Sequence, residues 1–367
     1  MPRILSALKR LFISLLLGAN LATLLLLWTC AVLTYVSPET LPLVSLMTLA
    51  FPIFCLADAL FVPLWLFVHR RLAWLPIAGA LLVAPFILDY CPLNRLNPLR
   101  HSAEASAPDS AALAPITLLS YNIGGIREEE DREAFVRYLR EQDADIVCLQ
   151  EFSASYLNRA SLLHLIDSAG YHSLATGSKM LLSRFPILGD TLTITYPTRS
   201  NGSVGYWLAV GGDSVLVVNN HLESNHLTDE EKSDYRGLIR DPHREKMKRE
   251  GRHLLAKLTD AAVYRGAQTD TLCALIDRYA GHPMIVCGDM NDSPVSYTCQ
   301  QLQRRLASCF RQGGTGPGIS YTQRAFSFRI DHAFVSPHWQ CTECRIDRTL
   351  SVSDHYPLVA RLQPKMQ

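Results

Sequence analysis

Long apolar runs without charge dominate the start of the chain, and short apolar runs broken by polar residues make up the remainder. Residues 11–36 hold 26 positions without a charged side chain, more than the roughly 20 that a helix needs to cross the hydrocarbon layer. A second run, residues 43–68, carries Asp58 and two prolines, Pro52 and Pro63. Proline is tolerated in a span where neighbouring groups satisfy the freed carbonyls. A third, shorter run covers residues 72–88. The pattern predicts an N-terminal transmembrane helical anchor over residues 1–93, with three helices as the expected count and two as the alternative. Arg3, Lys9 and Arg10 precede the first run as in a secretory signal, but the run is too long for a signal core and no Ala-x-Ala site follows it. Asp58 reads as a residue facing neighbouring helices or a re-entrant kink rather than a functional acid. Residues 94–114 are small and polar and lack the apolar mass to fold, which predicts a flexible linker.

From residue 115 the runs shorten to strand length: 116–121, 145–151, 179–183, 190–196, 205–210, 215–220, 285–287 and 328–336. Helical spacing covers residues 128–140, with Phe135, Val136 and Leu139 on one face. It returns beyond the charged stretch 228–252 through Leu254, Leu255, Leu258 and Ala262, then Leu272, Leu275 and Ile276, to Tyr279. Residues 297–306 read as a short helix and 313–318 as a loop. Strands that arrive as hairpins as well as through helices predict mixed sheets and an α/β (α+β-type) domain over residues 115–367.

Charge sharpens this division. The net charge is +1, yet residues 1–100 hold seven Lys/Arg against three Asp/Glu, which leaves 28 basic and 31 acidic residues in the rest. Basic residues cluster at the N-terminus and at Arg70-Arg71, whereas the link Ser37-Pro38-Glu39-Thr40 has none. The positive-inside rule then places the N-terminus and Arg70-Arg71 in the cytoplasm and, with three spans, the second domain on the non-cytoplasmic side. A domain near −3 lacks the basic excess of a tight nucleic-acid binder. The alternating signs of Glu245, Lys246, Lys248, Arg249 and Glu250 read as a solvated helix face rather than a nucleic-acid patch.

Candidate chemistry sits where the strands stop. Residues 285–287 lead into Gly288, Asp289, Met290 and Asn291, and on an extended backbone Asp289 and Asn291 share a side. Alone, this is as well explained by a strand followed by an Asx turn. Asn122, Glu151, His221, Asp331, Asp354 and His355 also border apolar segments. Together these residues offer oxygen ligands for a hard cation, a histidine that titrates near neutrality, and amide donors for an anionic transition state. That set suits metal-assisted attack of water on a phosphate ester.

The same residues carry a family resemblance. Tyr121-Asn122-Ile123, Leu149-Gln150-Glu151, Ser183-Arg184-Phe185-Pro186, Asn220-His221-Leu222, Gly288-Asp289-Met290-Asn291, Arg329-Ile330-Asp331-His332 and Ser353-Asp354-His355-Tyr356-Pro357 resemble, in order and spacing, the endonuclease/exonuclease/phosphatase (DNase I-like) superfamily. The resemblance covers about residues 115–363. It implies a four-layer sandwich of two packed mixed β-sheets with flanking helices, and a metal-dependent phosphoesterase, most simply a phosphodiesterase. It further implies Glu151 as principal Mg²⁺ ligand (Mn²⁺ being the other ion of choice), with Asn122 and Asp354 completing or flanking the metal. His355 resembles the general acid or base, oriented by Asp331. Asp289 would position the attacking water, Asn291 would stabilise the phosphoryl oxygens, and His221 would meet the scissile phosphate. Arg265 and Gln268 lie in a family-like helical pattern for which a surface or supporting role is equally apt.

The implied partners are a lipid bilayer, through the helices, and a phosphate-ester substrate, DNA or a phospholipid headgroup; no protein partner is inferable. A catalytically silent, membrane-tethered scaffold is the alternative, although such a module should have lost a ligand or a histidine and none is missing. Cys148 and Cys287 read as small core residues. An extracytoplasmic domain would permit a disulfide among Cys299, Cys309, Cys341 and Cys344.

Overall fold

The computed structural model describes residues 2–94, 115–126, 128–153, 160–196, 201–228, 231, 244–323 and 326–365. In the second part of the chain, the β-branched and leucine-rich runs form strands. One six-stranded sheet takes the order β13-β14-β1-β2-β4-β3. It comprises β1 (Ile116–Asn122), β2 (Ile146–Gln150), β3 (His172–Thr176), β4 (Lys179–Ser183), β13 (Trp339–Ile346) and β14 (Leu358–Pro364). The other takes the order β5-β6-β7-β8-β12-β9. It comprises β5 (Ile187–Thr195), β6 (Gly202–Val210), β7 (Asp213–His221), β8 (Met284–Asp289), β9 (Ala307–Ser308) and β12 (Asp331–Val335). A two-stranded ribbon, β10 (Tyr321–Gln323) with β11 (Phe326–Phe328), stands beside them. Both large sheets are mixed: β1 runs parallel to β2 and β7 parallel to β8, within otherwise antiparallel pairing.

Alternation along the strands divides the core into layers. Leu118, Ile146, Cys148, Val215, Val217, Ile285, Cys287, Ala333 and Val335 meet between the sheets. Their neighbours turn outward. Leu119, Tyr121, Val147 and Leu149 pack under helices Glu129–Gln142 and Ala160–Ser168. Leu216, Val218, Met284 and Val286 pack under helices Arg244–Arg278 and Tyr297–Gln303. The result is the expected helix–sheet–sheet–helix sandwich. Glu129–Gln142 starts on three acidic residues and carries Arg140 in its last turn, both favourable to the helix dipole, and it ends at Asp143 in the left-handed region. Strand β3, absent from the sequence expectation, is an edge strand with largely exposed side chains, so it lacks an apolar signature. No disulfide joins the described cysteines; Cys299, Cys309, Cys341 and Cys344 are buried thiols.

The N-terminal region contains helices Pro2–Leu33 and Phe51–Val68, the latter continuing a segment that begins at Pro42. Helices Trp74–Leu82 and Ala84–Tyr90 follow, and the pair Arg70–Leu82 and Ala84–Tyr90 is bent by 68°. Among the described residues, two helices are long and apolar enough to cross a membrane, or up to three if the bent pair counts as one. Asp58 has partners: Asn20 Nδ2 donates to it at 3.2 Å, and Trp65 Nε1 donates to Asn20 Oδ1 at 2.9 Å. A buried polar triad inside an apolar bundle fixes helix register, because an unpaired polar group there is costly. Outward faces stay apolar, with Ile4, Leu15, Leu25, Leu56, Leu60 and Phe67 exposed.

This bundle packs directly on the sandwich. Val295, four residues beyond Asn291, is fully buried among Leu27, Cys30, Ala31, Phe51 and Val83. Asn94, the first residue of the expected linker, donates to Arg311 O at 2.9 Å and Gly314 O at 2.6 Å; residues 95–114 lie outside the described residues.

The joint between β7 and β8 is the tightest point. Gly288, at φ +130, pairs with Asn220, and a Cβ there would lie 2.0 Å from Asn220 O. Gly288→Ala is therefore expected to lower stability by roughly 2–4 kcal/mol. Thermal unfolding of the full chain checks this; an unchanged midpoint would show that the two strands can separate without cost.

Candidate active site

Six segments deliver the expected residues to one end of the inter-sheet space. Asn122 continues the inward series of Ile116 and Leu118, His221 that of Val215 and Val217, and Asp289 that of Ile285 and Cys287; Asp331 precedes Ala333 and Val335. One layer deeper, Ser120, Gln150 and Asn219 occupy the same faces. Gln150 Nε2 donates to Asn219 Oδ1 at 2.7 Å and to Ser120 Oγ at 3.3 Å, while Asn219 Nδ2 donates to Leu149 O at 3.0 Å. These bonds tie the two sheets together beneath the site and separate it from the apolar core.

Above this floor opens a cleft of about 530 Å³, bordered by Glu151, His221, Asp289, Asn291, Asp354 and His355 among others. Asn122 Nδ2 donates to Glu151 Oε1 at 3.0 Å and to Asp289 Oδ2 at 3.1 Å, while its Oδ1 accepts from Gly124 N at 2.9 Å. Asp289 Oδ2 lies 3.7 Å from His221 Nε2 and 3.7 Å from His355 Nε2. His221 Nε2 is also 3.7 Å from Glu151 Oε1. His355 Nδ1 donates to Asp331 Oδ2 at 2.8 Å. Asn291 N donates to Asp289 Oδ1 at 2.9 Å, and its Nδ2 donates to Leu222 O at 3.0 Å, which leaves one further N–H on that amide. Asp354 lines the cleft beside Ser353, whose hydroxyl donates to Gly124 O at 2.8 Å. Glu151 and Asn291 adopt left-handed backbone conformations, at φ 54 and 51, and such local strain is typical where a side chain must be aimed into a site.

Charge separates the two histidines. Burial, the Lys179 ammonium and the His355 cation push the His221 pKa down to about 3, so this imidazole is neutral. For His355 burial also opposes the cation, but Asp331 and Asp289 beside it prevail and raise the pKa to about 10. Burial raises the Asp289 carboxyl to about 7, against the pull of His355. Lys179, itself buried, falls to about 8 through burial.

Two places offer oxygen ligands. Among the described residues, Asp289, Asp331 and His355 are the one group of three His/Cys/Asp/Glu whose ligand atoms lie within 4.8 Å of one another. Its geometry suits proton handling better than a cation: His355 Nδ1 is committed to Asp331, and all three residues are buried. Glu151, by contrast, keeps 47 % of its side chain exposed at the cleft, where its carboxylate, held at Oε1 by Asn122, could take an ion. Asn122, whose oxygen is held by Gly124 N, turns its N–H groups toward Glu151 and Asp289 and orients them.

Several contributors were not singled out from the sequence. Ser120, Gln150 and Asn219 could have been found by extending each inward-facing series. Ser320, whose hydroxyl accepts from Ile330 N and Asp331 N at 3.1 Å each, and Ser353 carry no periodic signal. Arg265 and Gln268 prove to be buried supports: Gln268 Oε1 accepts from Glu223 N at 2.8 Å and Arg265 Nη1 donates to Glu223 O at 3.0 Å, which holds the segment after His221.

The two-carboxylate environment of His355 has a direct test. Asp331→Asn removes a negative charge that raises its pKa, so the ring should lose its proton at lower pH than in the parent chain. A histidine NMR titration of the full chain checks this, and an unmoved midpoint would contradict the stated cause.

Comparison with known proteins places this geometry. The family described as endonuclease/exonuclease/phosphatase matches residues 119–355, and a domain of unknown function matches residues 11–90. No curated protein matches the chain. Among solved structures, humanized D. rerio TDP2 is similar at 16% identity and TM-score 0.48, covering 69% of this chain and 100% of that one. The catalytic domain of human Nocturnin reaches 18% identity and TM-score 0.49, covering 68% and 94%. A Beutenbergia cavernae protein described as endonuclease/exonuclease/phosphatase gives 17% and 0.48, covering 68% and 72%. With two mixed sheets, the strand-end constellation and a family match over most of the second domain, the chain belongs to the endonuclease/exonuclease/phosphatase family of phosphate-ester hydrolases.

Proposed function

We propose that the chain is a divalent-metal-dependent phosphodiesterase that directs water at the phosphorus of a nucleic acid or phospholipid headgroup. One observation carries this reading: a buried carboxylate, Asp289, stands 3.7 Å from both a neutral imidazole, His221, and a cationic one, His355, beside the cleft-exposed Glu151. The donor chemistry fits Mg²⁺ or Mn²⁺, with Glu151 as the principal ligand, Asp354 lining the same cleft as a second carboxylate, and Asn122 holding Glu151 in place. Such an ion, when bound, polarises a phosphoryl oxygen and acidifies water.

The remaining work belongs to the chain. Asp289 accepts a hydrogen bond from the attacking water, aligns it with phosphorus and takes its proton as the new O–P bond forms and the bond to the ester oxygen breaks. Asp331 fixes His355 so that Nε2–H faces the cleft and donates its proton to the departing ester oxygen. His221 stays uncharged and donates from Nε2 to a phosphoryl oxygen, joined by the remaining N–H of Asn291. No covalent enzyme intermediate is required.

We further propose that the N-terminal helices cross a bilayer and hold the catalytic domain on the side opposite the N-terminus. Supporting this, residues 27–51 and 83–94 meet the catalytic domain, whereas the N-terminus and Arg70-Arg71 lie roughly 37 Å and roughly 28 Å away along their helices, at about 1.5 Å per residue.

The full chain in detergent should hydrolyse a generic phosphodiester, plasmid DNA or sphingomyelin with Mg²⁺ and lose that activity in EDTA. Glu151→Gln, isosteric but uncharged, should cut turnover by about 10²–10³-fold. Retained turnover in excess Mg²⁺ would sink the ligand assignment, and folded protein inactive on every phosphodiester would favour a silent scaffold.

A further inference from the structure

We propose that the N-terminal helical bundle is part of the active site's framework: Val83 and Asp89 on the bundle act as positioning residues for the two segments that carry Asp289/Asn291 and Asp331. The catalytic consequence rests on the function proposed above; the structural coupling does not.

The first connection is apolar. Val295 is fully buried in a cluster formed otherwise by the bundle residues Leu27, Cys30, Ala31, Phe51 and Val83. Between Val295 and Asn291 the chain has no slack. Ser293 N donates to Asp292 Oδ1 at 3.0 Å, Ser293 Oγ donates to Val295 O at 3.1 Å, and Asp292 Oδ2 accepts from Thr298 Oγ1 at 2.9 Å. The Asp292 carbonyl accepts from His332 Nε2 at 2.9 Å, next to Asp331. A shift of Val295 is therefore passed along a short, bonded segment to Asn291 and Asp289.

The second connection is polar. Asp89, at the end of helix Ala84–Tyr90, is buried and pairs with Arg311, while its Oδ2 accepts from Gln300 Nε2 at 2.9 Å. Its backbone carbonyl accepts from Arg329 Nη2. Arg329, two residues before Asp331, is itself buried, lies 4.0 Å over the Phe310 ring and donates to Pro317 O at 3.0 Å. Desolvated arginines are held by such multiple contacts, so the end of this helix sets where β12 begins.

Tertiary contacts of this kind raise the free energy of local opening in the segments they hold. Val83 shares a buried cluster with Val295, and Asp89 bonds to Gln300 and Arg329, each more than 200 residues away in sequence, so any effect there is transmitted through space. Hydrogen exchange of the full chain, in detergent or nanodiscs, reads this without reference to activity. Val83→Ala should speed exchange over residues 289–296, and Asp89→Asn over residues 329–334, by about tenfold, with β1 and β2 unchanged. Val83→Ile, which retains the apolar contact, should keep the parent rates. If the parent hydrolyses a phosphodiester, kcat should fall several-fold in the first two variants with KM unchanged. Unchanged exchange in both segments, an equal rise in every strand, or unaltered kcat in an active enzyme despite faster exchange would each overturn the proposal. Inactivity of the parent, with Glu151→Gln indistinguishable from it, would refute the function alone and leave the exchange result to decide the coupling.

Discussion

The strand-borne groups of the candidate site, Asn122, His221, Asp289 and Asp331, hang on the alternation of side chains along a strand, whereas left-handed turns just past the strands aim Glu151 and Asn291. A residue two places beyond a buried, inward-facing side chain is also aimed between the sheets. Because β1, β2, β7 and β8 all end at the same level, extending their inward faces brings Asn122, Gln150, His221 and Asp289 together without any long loop. The parallel pairs matter here, since only parallel neighbours end on the same edge. Gly288 permits the close approach of β7 and β8, and the Gln150–Asn219 bond sets the depth at which core gives way to site.

From that arrangement follows the division of labour between two histidines in one cleft. His221 has no carboxylate in hydrogen-bonding contact and is neutralised by burial. His355 is buried as well, but its bond to Asp331 and its proximity to Asp289 hold the proton. Environments that push two similar groups in opposite directions identify acid and hydrogen-bond donor more securely than residue type does. In the function proposed above, the buried carboxylates serve this purpose and the exposed Glu151 takes the cation.

Much of this was legible in the sequence, for a physical reason. Strand ends such as Leu149-Gln150-Glu151 and Gly288-Asp289 mark the passage from apolar run to polar tip, and the long runs before residue 90 form helices long and apolar enough to cross a membrane. What was not legible involves pairing across distance. Hydropathy reads the same whether a helix face meets lipid or protein, so nothing in residues 27–51 announced a contact with Val295. Nor does the polar stretch from residue 94 show in its composition that Asn94 bonds to the sandwich. Short or exposed strands such as β3 and β9 lack periodicity, and the left-handed turn that aims Glu151 leaves no compositional trace.

We propose that Glu151 takes a divalent cation, next to a proton relay formed by Asp289, Asp331 and His355. Anomalous diffraction from crystals of the full chain soaked in Mn²⁺ tests it most directly. A peak roughly 2.0–2.3 Å from a Glu151 carboxylate oxygen is expected. A peak lying instead among Asp289, Asp331 and His355, with none at Glu151, would contradict it.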